Sequence, residues 1–160
     1  MTPEQSVVAS AVHAWKLNLE RADKLFSGLS EQQLLTEVAP GKNRLVYLWG
    51  HLIAVHDAML PLLGLGPRRH AELDAAFLTG ADKTVDELPS AAELKRLWND
   101  VNGRLLAGFN DFTAADWAQK HSAVSDEEFA ANPLRNRLAI LLSRTAHVAY
   151  HHGQAVLAPR

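Results

Sequence analysis

The chain of 160 residues contains no cysteine. That excludes disulfides, a protein thiolate nucleophile and any cysteine-ligated zinc or iron–sulfur centre, and it fits a reducing compartment. An excess of positive charge is also missing. The 16 Lys and Arg against 18 Asp and Glu leave a net charge of −2. No basic field therefore draws in nucleic acid or an anionic membrane, and neither partner is expected. The opening residues, MTPEQSVVAS, contain no basic and no apolar signal-peptide region, so a cytoplasmic protein is expected. Uninterrupted apolar runs are lacking too. The longest, Leu45 to Leu63, is broken by His51, His56, Asp57 and Pro61, which argues against a membrane span. No segment alternates with period two for long enough to suggest a sheet.

What is present is helical periodicity, and the length suits a single domain over residues 1–160. A first helix is expected from Thr2, with Pro3 at its first position and Gln5 completing a capping box. Its apolar stripe is Val8, Val12, Trp15, Leu19, Ala22 and Phe26. A second helix is expected from about Asn43 to Leu63, stopped by Gly64, Gly66 and Pro67. A third opens at Ser90, boxed by Glu93, and buries Leu94, Leu97, Val101, Leu105 and Phe109. A fourth is expected to open at Asn132-Pro133 and run to about Ala158. A short helix from Arg69 to Leu78 is expected between the halves. Ser30 with Gln33, and Thr113 with Asp116, repeat one cap pattern after the first and third helices. Each half then reads long helix, short helix, long helix. The fold class is all-α, a four-helix bundle with short connecting helices.

The chemistry lies in the last helix, Arg144-Thr-Ala-His147-Val-Ala-Tyr-His151-His152-Gly-Gln154. His147 and His151, four apart, share one helical face and can share one ion. Eight histidines give about 0.4 such pairs by chance, so the pair alone is weak. A third ligand must come from another helix, as bundles build metal sites from facing side chains. The second helix offers His51, and an inward imidazole there needs a partner. The helix is apolar almost all round, so its wheel does not prefer His51 over His56. That same apolarity suggests one face on the core and another on a second subunit.

The pieces Leu29-Ser30-Glu31-Gln32-Gln33-Leu34, Ala39-Pro40-Gly41-Lys42, Gly50-His51-Leu52 and His147 through Gln154 resemble the DinB/YfiT-like superfamily of four-helix bundles, in order and spacing. The resemblance implies that His51, His147 and His151 bind one divalent metal ion, zinc or nickel. It also implies a homodimer. It does not imply one reaction, since relatives include thiol-dependent transferases and presumed hydrolases. Asn43 follows Lys42 where many relatives carry an aromatic, so the start of the second helix is expected to differ.

Three imidazoles leave an open metal position, the pattern of a catalytic site. Zincin-type hydrolysis fits poorly, because Val148 follows His147 where that motif needs a glutamate. A hydrolytic base would have to come from Asp57, His152 or a position that the sequence does not identify. Tyr47 is placed to donate a hydrogen bond to substrate or to pack in the core. Arg144 is placed to hold a substrate carboxylate or to sit on the surface. With no cysteine in the chain, thiol chemistry requires an external low-molecular-weight thiol. The leading expectation is a metal-dependent transferase or hydrolase acting on a small-molecule substrate. The alternative is a non-catalytic metal-binding or structural bundle.

Overall fold

The computed structural model describes residues 1–159 and is helical, with no strand among them. The elements are α1 (Pro3–Phe26), α2 (Glu31–Leu34), α3 (Leu45–Leu63), α4 (Ala91–Asp111), α5 (Ala114–Trp117), α6 (Asp126–Ala131) and α7 (Arg137–Val156). A 3-10 turn, Ala71–Leu73, and a π turn, Ala75–Thr79, lie between α3 and α4. The four long helices α1, α3, α4 and α7 form the bundle. α1 packs on α7, α7 on α3, and α3 on α4. Trp15 closes the ring by meeting Phe109 of α4 edge to face.

Caps drawn from the sequence set most boundaries. Thr2–Gln5, Ser30–Gln33 and Thr113–Asp116 form reciprocal boxes. At Ser90 only half the box forms, because the Glu93 carboxylate turns to Arg96 instead. The two-fold echo extends further than the cap pattern. After α2 the chain makes an isolated bridge, Glu37 with Arg44, and after α5 it makes another, Lys120 with Asn136. In equivalent positions Leu45 N–H donates to the Thr36 carbonyl and Arg137 N–H to the Gln119 carbonyl, both at 2.9 Å.

Those bridges correct two helix starts. α3 begins at Leu45 and not Asn43, because Arg44 is extended backbone and the Asn43 carbonyl accepts from Val38 N–H. α7 begins at Arg137 and not at Asn132-Pro133. Asn132 instead closes α6, which Ser125 and Glu128 cap, and Asn136 caps α7 by accepting from Ala139 N–H. The expected helix from Arg69 to Leu78 is two irregular turns. Asp57 holds the backbone N–H groups of Arg69 and His70 at the entry to that stretch.

α3 lies in the middle of the molecule and is buried on nearly every side. It has the length and composition to cross a membrane, yet 72% of its apolar window is buried inside the bundle. Its all-round apolarity is thus consumed by α4, α7 and the two turns. A second subunit is not needed to cover it, which corrects the expectation drawn from the helical wheel. The helix ends at Gly64, in the left-handed conformation (φ 74°) that glycine adopts without strain.

The Phe77 ring lies directly against Gly50. A Cβ there would lie 2.3 Å from the Phe77 ring, so the π turn can seat on α3 only while position 50 has no side chain. Gly50→Ala should lower stability by about 1–3 kcal/mol through overpacking. Urea unfolding of the variant checks this; an unchanged midpoint would mean that the turn accommodates the methyl group.

Candidate metal centre

α3 and α7 run antiparallel. The Arg137 guanidinium lies against Gly64 at one end, and Leu48 and Gln154 line one cleft at the other. Between those ends the register sets His51 opposite the His147–His151 pair. His51 Nε2 is 3.2 Å from His147 Nε2, and His151 Nε2 is 3.0 Å from it. One ligand atom from each of the three residues falls within a sphere of contacts no wider than 4.8 Å. All three side chains are half-buried.

The surrounding hydrogen bonds aim the lone pairs. His51 Nδ1 donates to the Phe77 carbonyl at 2.7 Å. A carbonyl can only accept, so Nδ1 carries the proton and Nε2 presents its lone pair to the centre. His151 Nδ1 is paired at 2.8 Å with the side-chain oxygen of Gln154, which orients the second ring in the same way. A carbonyl or amide oxygen behind each imidazole is how metal-bound histidines are held. Zn–N bonds of about 2.0–2.1 Å in tetrahedral geometry put ligand nitrogens about 3.3 Å apart, close to the two spacings to His147 Nε2. The donor set fits a divalent ion. Tyr47 and Tyr150 pack their rings on His51 and His151.

Burial favours the neutral imidazole at His147 and His151, the form a metal ligand needs. Burial pushes the His147 pKa down to about 4, helped by His151, His51 and Arg144. Burial likewise lowers His151, partly offset by its bond to Gln154. No carboxylate pairs with any of the three among the described residues.

A family model described as the DinB superfamily matches residues 14–155. The chain belongs to the DinB superfamily. No curated protein gives a significant match. The matched span contains all three histidines, as well as Gln154 and Phe77 behind two of them.

The other residues singled out from the sequence lie elsewhere. His56, which the helical wheel could not separate from His51, is fully buried beneath the centre, between Trp15 and Trp98, with Nδ1 2.8 Å from the Asn102 side-chain oxygen. Asp57 is no candidate base. It is fully buried, accepting from Arg68 and from two backbone N–H groups. His152 lies on the α1 side of α7, in a groove with Arg21, Lys24 and Leu25. Tyr47 does not offer its hydroxyl to a substrate; it donates to the Gly80 carbonyl at 2.9 Å. Sequence reading missed Phe77, because its contribution is a backbone carbonyl that any residue possesses.

Burial holds the His56 pKa down at about 3, against 6.5 when unfolded. The unfolded chain therefore binds a proton below pH 6.5 that the folded chain refuses. Stability from this group is complete above pH 6.5 and falls as the pH drops towards about 3, by roughly 1.4 kcal/mol per unit. His56→Gln keeps a donor for Asn102 but does not titrate. Its unfolding free energy should decline less steeply between pH 6 and pH 4 than that of the parent; equal slopes would show that His56 is not the group responsible.

Proposed function

We propose that the protein is a metal-dependent enzyme acting on a small molecule, with one divalent ion, zinc or nickel, held by His51, His147 and His151. The observation that carries this reading is the convergence of three imidazole nitrogens, with the Phe77 carbonyl forcing the His51 lone pair inward. Three neutral ligands leave a position open for a substrate or co-substrate. When bound, such an ion supplies Lewis acidity and makes a coordinated group easier to deprotonate at neutral pH.

The protein's own residues do the remaining work. Phe77 and Gln154 orient two of the rings, and the aromatic faces of Tyr47 and Tyr150 flank them. A cleft of about 350 Å³ shares Gln154 with the centre and is lined by Val38, Ala39, Lys42, Asn43 and Leu48. It is the proposed seat for the body of the substrate. Hydrolysis needs a general base, and the acid nearest in sequence to the α3 ligand, Asp57, is already committed to Arg68 and the backbone. Transfer to or from an external low-molecular-weight thiol needs no such base. That chemistry is favoured over hydrolysis.

Purified protein without a histidine tag should hold about one divalent ion per chain by elemental analysis. His147→Ala should weaken metal binding by roughly 100-fold or more, beyond what loss of an outer-shell partner costs. Full stoichiometry in the His51/His147/His151 triple-alanine variant would refute the site. Chelation should leave the far-ultraviolet circular dichroism helical, because the core stands on its four buried tryptophans and its leucines rather than on the ion.

Pairing of two copies belongs to this proposal and rests on the family resemblance. Since α3 is covered by its own chain, the interface must use other surfaces. Sedimentation at micromolar concentration should give twice the chain mass; a monomer mass would rule pairing out.

A further inference from the structure

Among the described residues, half-buried arginines find acceptors, with one exception. Arg44 pairs with Asp82, Arg68 with Asp57 and Asp74, and Arg135 with Glu128, while Arg137 donates to the Asp116 carbonyl. Arg144 makes no hydrogen bond and no ion pair among the described residues, and its Nε is buried without a partner. It lies one helical turn before His147, on the face of α7 that carries the histidines.

A half-buried cation with nothing opposite it lowers stability, since desolvation goes uncompensated. Such a group persists where a ligand completes it. The histidines on the same face are neutral, and no carboxylate pairs with the arginine or with His51, His147 and His151 among the described residues. A planar guanidinium presents parallel N–H donors that match the two oxygens of a carboxylate or phosphate.

We infer that the three-histidine site takes a small anionic substrate and that Arg144 binds its oxyanion. This rests on the reading of the site as a metal centre for a small molecule. The shared chemistry is an oxyanion, and a carboxylate is distinguished from a phosphate ester by the probe that binds. Arg144 is then a substrate-binding residue, and its lack of an internal partner is what keeps it available.

The experiment uses the full chain, zinc-loaded and zinc-free, with trifluoroacetate observed by fluorine NMR and inorganic phosphate observed by thermal shift. Sodium chloride at equal ionic strength is the control. One of the two probes should bind the parent protein and raise its melting temperature. Arg144→Gln should weaken that binding about ten-fold or more, and Arg144→Lys should restore part of it. Without an anion present, Arg144→Gln should be at least as stable as the parent, whereas an arginine with a structural role would lose stability on replacement. Equal anion affinity in the parent and Arg144→Gln would overturn the inference, as would failure of both probes to bind the parent. Should Arg144→Gln fail to fold, the structural role it reveals would also overturn it. If zinc binds no form of the protein while trifluoroacetate binds in an Arg144-dependent way, the metal reading fails and this inference stands. If zinc binds at one per chain and neither anion does, the reverse holds.

Discussion

The register of α3 against α7 is the constraint on which the site depends. Gly64 lets the Arg137 side chain approach at one end, and Leu48 meets Gln154 at the other. Only with that alignment does His51 fall between His147 and His151. A slip of one residue would rotate position 51 by about 100° around its helix axis and aim the ring elsewhere. Two local bridges, with Leu45 N–H donating to Thr36 and Arg137 N–H to Gln119, fix where each of these helices starts.

α3 illustrates how one helix carries two histidines with opposite fates. His51 and His56 are five residues apart, so they point to different sides. His51 has a carbonyl behind it and two imidazoles in front. His56 has an amide oxygen on one nitrogen and tryptophans around the ring. Burial suppresses protonation at His56, which has no carboxylate to offset the loss of hydration. It is a neutral polar core residue, tied to Asn102, which in turn donates to the Trp98 carbonyl.

Support for the centre comes from an irregular element. The π turn at Ala75–Thr79 lays Phe77 across Gly50, and the carbonyl of that same residue accepts from His51. The Tyr47 hydroxyl anchors the end of the turn at Gly80. The Phe77 carbonyl lies in the last turn of this element, among those a helix end leaves without an internal partner, and so is free to accept from His51. Asp57 holds the chain entering this region through Arg68 and two backbone amides. The buried carboxylate therefore serves the architecture around the centre.

The helical class, the apolar stripes, the reciprocal caps at Thr2, Ser30 and Thr113 and the repeated half were determined by the sequence itself, because periodicity and capping are local physics acting within a few residues. So was the sharing of one face by His147 and His151. Which histidine of α3 joins them was a tertiary decision. The helix is apolar on every side, and only the packing of α4, α7 and the turns tells the sides apart. The start of α7 was read too early because Asn132 and Asn136 are both sound cap residues. The Lys120–Asn136 bridge, formed across a loop, selects the second. The roles of Phe77, Asp57 and Arg144 likewise depended on long-range contacts. One contributes a backbone carbonyl, one is spent on a loop distant in sequence, and one has no hydrogen-bond partner among the described residues, a property that exists only once the rest of the chain has folded around it.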